Sequence, residues 1–270
     1  MKVRRPNLDF SETPAHWAKS PEHAQVCNSS SLWIPHLERF LNRVLAKVLS
    51  QMKDDPKMTP ELRDQVRTFI RQESNHYAMH ESYNQILTRE GYDVAHFEAM
   101  FEAEFEKLLQ TKSLAFLTAY CEGFETLGPP AAINWLDESE VELEGARPEV
   151  VALWKWHLLE EFEHRTVCHD VFHAVHGGYF MRIYGFLFQM RQLQGFSRMV
   201  RKYLLEVDRA KMTPEQVAAS IAEEEAVTKR LKSRMLPRLL KVFSPFYTPY
   251  KAQEPRNYRS YMAQVEAALG

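Results

Sequence analysis

The stretches RQESNHYAMHESYN (71–84) and WKWHLLEEFEHRTVCHDVF (154–172) decide how this chain is read. Each holds a Glu-x-x-His pair, Glu73/His76 in the first and Glu161/His164 in the second. Residues three apart share one face of an α-helix, so each pair presents a carboxylate and an imidazole side by side. One such pair among 11 histidines is close to coincidence, but two in separate helical stretches form half of a pattern. The other half is one glutamate from each of two further helices, which completes the ligand set of a di-iron or di-manganese carboxylate bundle.

In that pattern the groups follow one another as Glu, Glu-x-x-His, Glu, Glu-x-x-His, one per helix. Glu38 is the only glutamate in 29–52 and supplies the first lone carboxylate. In LAFLTAYCEGFETL (114–127) Glu122 and Glu125 compete for the second, with Glu122 favoured by its small and apolar neighbours Cys121 and Gly123. Four carboxylates and two divalent cations sum to zero charge, which lets the acids share a low-dielectric interior. Oxygen ligands with two imidazoles suit iron or manganese, singly or mixed, with zinc as an alternative. His157, Glu161 and His164 form one helical stripe, and so do Glu73, His76, His80 and Asn84. His157 and His80 are therefore further ligands or hydrogen-bond partners of ligands, with assigned roles in the chemistry. Asp170 and Arg165 are outer candidates, while Glu160 and Glu163 read as a solvated helix face.

Composition agrees with a helical protein. Glycine is scarce, 9 in 270 residues, and Asn-Gly and Asp-Gly hairpin turns are absent. Hydrophobic residues at 45% and charged residues at 26% are ordinary globular values. A net charge of -2 gives no reason to expect nucleic acid. Three widely spaced cysteines, Cys27, Cys121 and Cys168, do not make a disulfide framework or a thiolate zinc site. No run approaches the roughly 18 apolar residues of a membrane span, and no apolar stretch follows the basic first residues, so a cytoplasmic protein is expected.

Spacing predicts an extended arm over 1–30 and a single helical metal-binding domain over 31–270. Helices are expected over 29–52, 59–89, 94–110, 112–127 (ended by GPP at 128–130), 148–174 and 179–206, with another starting at MTPEQ (212–216). The fold class is all-α, a ferritin-like helical bundle with additional C-terminal helices. KRLKSRMLPRLLK (229–241) mixes basic and apolar residues and reads as a solvated helix face, with peripheral membrane contact as the alternative.

The same segments resemble a known family, the bacterial proteins called predicted metal-dependent hydrolases. SLWIPHLERF (31–40), RQESNHYAMHESYN, TAYCEGFET (118–126) and WKWHLLEEFEHRTVCHDVF resemble its signatures, over roughly residues 29–175. The resemblance puts Glu38, Glu73, His76, His80, Glu122, His157, Glu161 and His164 on motif positions, and so prefers Glu122 to Glu125. Leu37 replaces a glycine of the first signature, and His169-Asp170 replaces an aromatic-aspartate pair. The ligand order with His157 is also similar to that of the di-iron aminobenzoate N-oxygenases. These likenesses imply a dinuclear metal enzyme acting on a small organic substrate. The leading expectation is an O2-activating oxidase or oxygenase in which substrate passes the aromatic helix 179–190. The alternatives are a metal-dependent hydrolase using a metal-bridging hydroxide and a non-catalytic iron-binding protein. A homodimer is a further expectation.

Overall fold

The structure is a computed structural model that describes residues 1–269. It is an all-α helical bundle, with no strand among the described residues. The chain up to Ser20 runs without helix, and α1 then covers Pro21–Ser31. The arm expected to be extended through residue 30 is thus helical over its last third. Ser20 caps α1 by accepting from the His23 amide, with Pro21 behind it. This is the cap-and-proline signal that Thr59-Pro60 uses to open α3.

Four helices carry the motif residues: α2 (Ile34–Gln51), α3 (Pro60–Arg89), α5 (Leu114–Glu125) and α8 (Pro148–His164). Helix α4 (Ala95–Thr111) packs on α2, and α9 (Val167–Val175) packs on α5 and α3. The helix expected over 148–174 is two helices, because α-helical bonding lapses at Arg165–Thr166. GPP at 128–130 ends α5 as expected and also opens a short helix, α6 (Gly128–Ile133), its prolines seated where no amide is needed. A turn of π-helix (Asn134–Glu138) and α7 (Glu140–Leu143) lead back to α8.

Helix α10 (Tyr179–Arg209) lies across α5 and α1. Two glycines set the approach: a Cβ on Gly185 would stand 2.6 Å from the Ala119 carbonyl carbon, and one on Gly123 would stand 2.8 Å from the Phe186 Cα. Phe186 is buried there, whereas Phe180, Tyr184 and Leu187 form an exposed stripe on the opposite face. The aromatic run 179–190 is therefore divided between packing and solvent. Helix α11 (Pro214–Leu239) starts in a capping box of Thr213 and Gln216 and continues through Pro237, which costs an amide only near its end. Its Arg230, Arg234 and Arg238 form a stripe paired with Glu142 and Glu138. Half the basic residues of 229–241 are thus used to hold α11 to the rest of the bundle. Helix α12 (Tyr258–Leu269) closes the chain against α8. No helix among the described residues is long and apolar enough to cross a membrane.

The α5–α10 crossing leads to a paired prediction. Gly185→Val forces the two backbones apart and should cost about 2 kcal/mol, lowering Tm by on the order of 5 °C. Gly195 sits in the same helix with nothing within 4 Å of its would-be Cβ. Gly195→Ala should raise stability by up to about 1 kcal/mol, and thermal melts of both variants check the contrast.

Candidate metal centre

Six side chains converge in the bundle interior. One group comprises Glu38, His76, His157 and Glu161, the other Glu73, His76, Glu161 and His164, each with ligand atoms within 4.8 Å of one another. Glu161 is the shared carboxylate: its Oε1 lies 3.1 Å from His157 Nε2, 3.8 Å from His76 Nδ1 and 3.9 Å from His164 Nε2. Glu73 Oε1 is 3.0 Å from His164 Nε2 and 3.5 Å from His76 Nδ1, while Glu38 Oε1 is 3.6 Å from His157 Nε2. The side chains come from α2, α3 and α8, where the helical repeat aims each stripe inward.

The atoms facing this point are buried and lack directed hydrogen bonds. These include both carboxylate oxygens of Glu38 and of Glu73, Glu161 Oε1, His76 Nδ1 and His164 Nε2. Polar atoms left bare inside a protein are costly, and a cluster of them aimed at one place is explained by cations that the set would ligate. The donor set, carboxylates and imidazoles without a thiolate, fits a pair of divalent ions.

Each imidazole is held from behind, which fixes the nitrogen it turns inward. His76 Nε2 meets Glu160 Oε2 at 3.1 Å, leaving Nδ1 for the centre. His164 Nδ1 meets Glu125 Oε2 at 3.0 Å, leaving Nε2. His157 depends on a longer relay. Asn84 Nδ2 donates to the Ser31 carbonyl at 3.0 Å, so Asn84 Oδ1 accepts from the Ser31 hydroxyl at 2.6 Å. Ser31 Oγ then accepts from His80 Nδ1 at 2.8 Å, and His80 Nε2 accepts from His157 Nδ1 at 2.8 Å. The direction set at Asn84 delivers a lone pair on His157 Nε2 to the centre. His80 is thus occupied at both nitrogens and stands behind His157. Aromatic rings enclose the imidazoles: Phe69 lies edge-on to His164 at 4.6 Å, and Trp156 to His76 at 4.8 Å.

The two glutamates of α5 part company. Glu125 reaches His164, whereas Glu122 Oε1 lies 3.3 Å from His169 Nδ1 on α9 and outside both converging groups. Three residues along a helix rotate a side chain by about 60°, enough to send the two to different neighbours. Asp170 accepts from the Tyr250 hydroxyl, and Arg165 donates to the carbonyls of Pro249 and Phe162, so neither reaches the centre.

Glu160, read from sequence as a solvated position, is fully buried. Arg4 neutralises it at 3.1 Å and also bonds Glu163 and Glu266 at 3.1 Å each. Gln72 and the Lys2 amide complete the partners of Glu163. A charge bookkeeping from sequence could not find this, since the neutralising arginine lies 156 residues away.

The electrostatics follow from burial. Desolvation, reinforced by Glu73, Glu161 and Glu125, holds the Glu38 carboxyl well above its usual range. Burial and the nearby Glu161 push Glu125 up to about 8, although His164 opposes the rise. His76 moves the other way from a buried imidazole: desolvation disfavours its charge, but Glu73 and Glu160 outweigh it and raise it to about 9. Glu73 is held low because His76 and His164 overcome its own desolvation. Below pH of about 8 to 9 His76 and Glu125, and with them Glu38, therefore hold protons that an incoming cation must displace or redistribute.

Three outcomes follow. Metal affinity should fall as pH falls from 9 towards 6, with proton release seen as a buffer-dependent heat in titration calorimetry. Asn84→Leu and Glu160→Gln, which free an imidazole behind the centre, should each weaken metal binding by roughly 10- to 100-fold, read by competition with a chelating dye. Arg4→Met leaves Glu160 buried without its cation and should cost about 3–5 kcal/mol in chemical denaturation.

Nothing among curated proteins or solved structures matches the chain. Its sequence does match the family described as predicted metal-dependent hydrolase, over residues 2–253. That span includes every residue of the centre and the arginine that supports it from the arm, and the chain belongs to this family.

Proposed function

We propose that the protein is a hydrolase working through two divalent cations held by Glu38, Glu73, His76, His157, Glu161 and His164. The observation that carries this reading is Glu161, one carboxylate oxygen within 4 Å of three imidazole nitrogens and flanked by the bare oxygens of Glu38 and Glu73. Two ions held by these groups would share such a carboxylate. Family membership supports hydrolysis over other dinuclear chemistry, while the two Glu-x-x-His pairs on α3 and α8 with Glu38 on α2 supply three of the four helical contributions of a ferritin-like site.

Two divalent ions, when bound, polarise a carbonyl or phosphoryl oxygen and make water acidic enough to attack near neutral pH. The chain's own groups hold and orient. Glu160, Glu125 and the His80–Ser31–Asn84 relay set the tautomers of the three ligand imidazoles. Glu38, whose two oxygens make no hydrogen bond, would offer its carboxylate to the ions once its proton is displaced. The aromatic shell excludes bulk water and strengthens every charge interaction inside it.

A second reading, an O2-activating oxidase or oxygenase on iron, draws on the third imidazole, His157, placed between Glu38 and Glu161. Metal replacement separates the two. Protein loaded with zinc and held under argon should cleave members of an ester, amide and phosphoester panel. Glu161→Gln should lose at least about 100-fold in kcat/KM, by analogy with removal of one transition-state stabilising group. Turnover that requires iron and O2, and vanishes with zinc, would overturn the hydrolase reading.

A further inference from the structure

A cavity of about 320 Å³ opens between α1, α10 and α11, within the size range of small-ligand sites. Trp33, Leu127, Leu193, Met235 and Leu239 give it apolar walls. Among them stands Gln189, fully buried, with neither its amide oxygen nor its amide nitrogen hydrogen-bonded. An unpaired buried polar group costs about 1–3 kcal/mol, and leucine or methionine would fill this position without that cost. At the rim, Arg198 and Lys232 are exposed and have no ion-pair partner among the described residues, whereas Arg201 is neutralised by Glu224 at 3.1 Å. The cavity thus combines an apolar body, one inner amide needing a partner and a cationic mouth.

Its inner wall is also the outer wall of the metal centre. Ser30 lines the cavity, and the next residue, Ser31, holds His80. Leu127 lines it too, and the next residue, Gly128, lies so close to Glu161 that a Cβ there would be 3.2 Å from Oε2. One layer of chain separates the cavity from the carboxylates.

We propose that this cavity binds an acylated carboxylate: an apolar acyl chain joined through an amide or ester to a group ending in a carboxylate. The chain fills the apolar walls, the amide or ester pairs with Gln189, and the carboxylate sits at Arg198 and Lys232. Binding there does not depend on the hydrolase reading, since a layer of chain lies between the cavity and the carboxylates of the centre.

Titration calorimetry on the zinc-loaded full chain tests this with N-decanoylglycine, decanoate and N-decanoylethanolamine, which keep both polar groups, the carboxylate alone and the amide alone. N-decanoylglycine should bind at least tenfold more tightly than either of the others. Gln189→Leu should weaken it tenfold or more, leave decanoate unchanged and raise Tm, because an orphaned amide is removed. The double variant Arg198→Ala/Lys232→Ala should weaken both carboxylates and leave N-decanoylethanolamine unchanged. Absence of binding, or a Gln189→Leu protein that is less stable and binds N-decanoylglycine undiminished, overturns the proposal. Binding without cleavage of any acyl amide or ester leaves the cavity assignment standing and counts against the hydrolase reading alone.

Discussion

Carboxylates buried together in a protein interior repel one another and lose their hydration, and three of them meet at one point here, with a fourth, Glu125, behind His164. Glu38, Glu73, Glu125 and Glu161 are all essentially without solvent contact. Their charge has to be met by protons or by cations, and the imidazoles of His76, His157 and His164 do not suffice to do both. Everything else near the centre can be read as a response to that constraint. The imidazoles are anchored from behind, the one further buried acid beside them is neutralised by an arginine, and aromatic rings fill the remaining space.

The helical period makes much of this legible in the sequence. Stripes at three- and four-residue spacing aim Glu73, His76, His80 and Asn84, and likewise His157, Glu161 and His164, into one interior, as expected from spacing alone. Helix starts signalled by Thr59-Pro60 and Thr213-Pro214 appear where the caps place them. The same signal at Ser20-Pro21 is present but sits in a segment poor in apolar periodicity, and α1 is missed for that reason.

What the sequence hides is rotation and distance. Glu160, Glu161 and Glu163 are near neighbours in one helix, and all three could face solvent or interior until the packing of α8 on every side is known. Glu160 is buried only because Arg4 reaches it, a contact between positions too far apart in the chain to be suggested by any local pattern. The choice between Glu122 and Glu125 has the same character: each finds a histidine, one on α9 and one on α8, and only the placement of α9 tells them apart. Gln189 offers no signal at all in a sequence, since a glutamine in a long helix is ordinary until its surroundings turn out to be apolar.

Arg4 ties the beginning of the chain to Glu160 and Glu163 on α8 and to Glu266 on α12. In vectorial synthesis the arm is made before α8 and α12, so its acidic partners emerge well after it. The support behind His76 therefore closes only when α8 has docked against the arm. Without Glu160 His76 lacks the partner that fixes which nitrogen it turns inward. The orientation of a ligand on α3 is in this sense governed by an arm residue that precedes every helix of the bundle and a carboxylate that follows most of them.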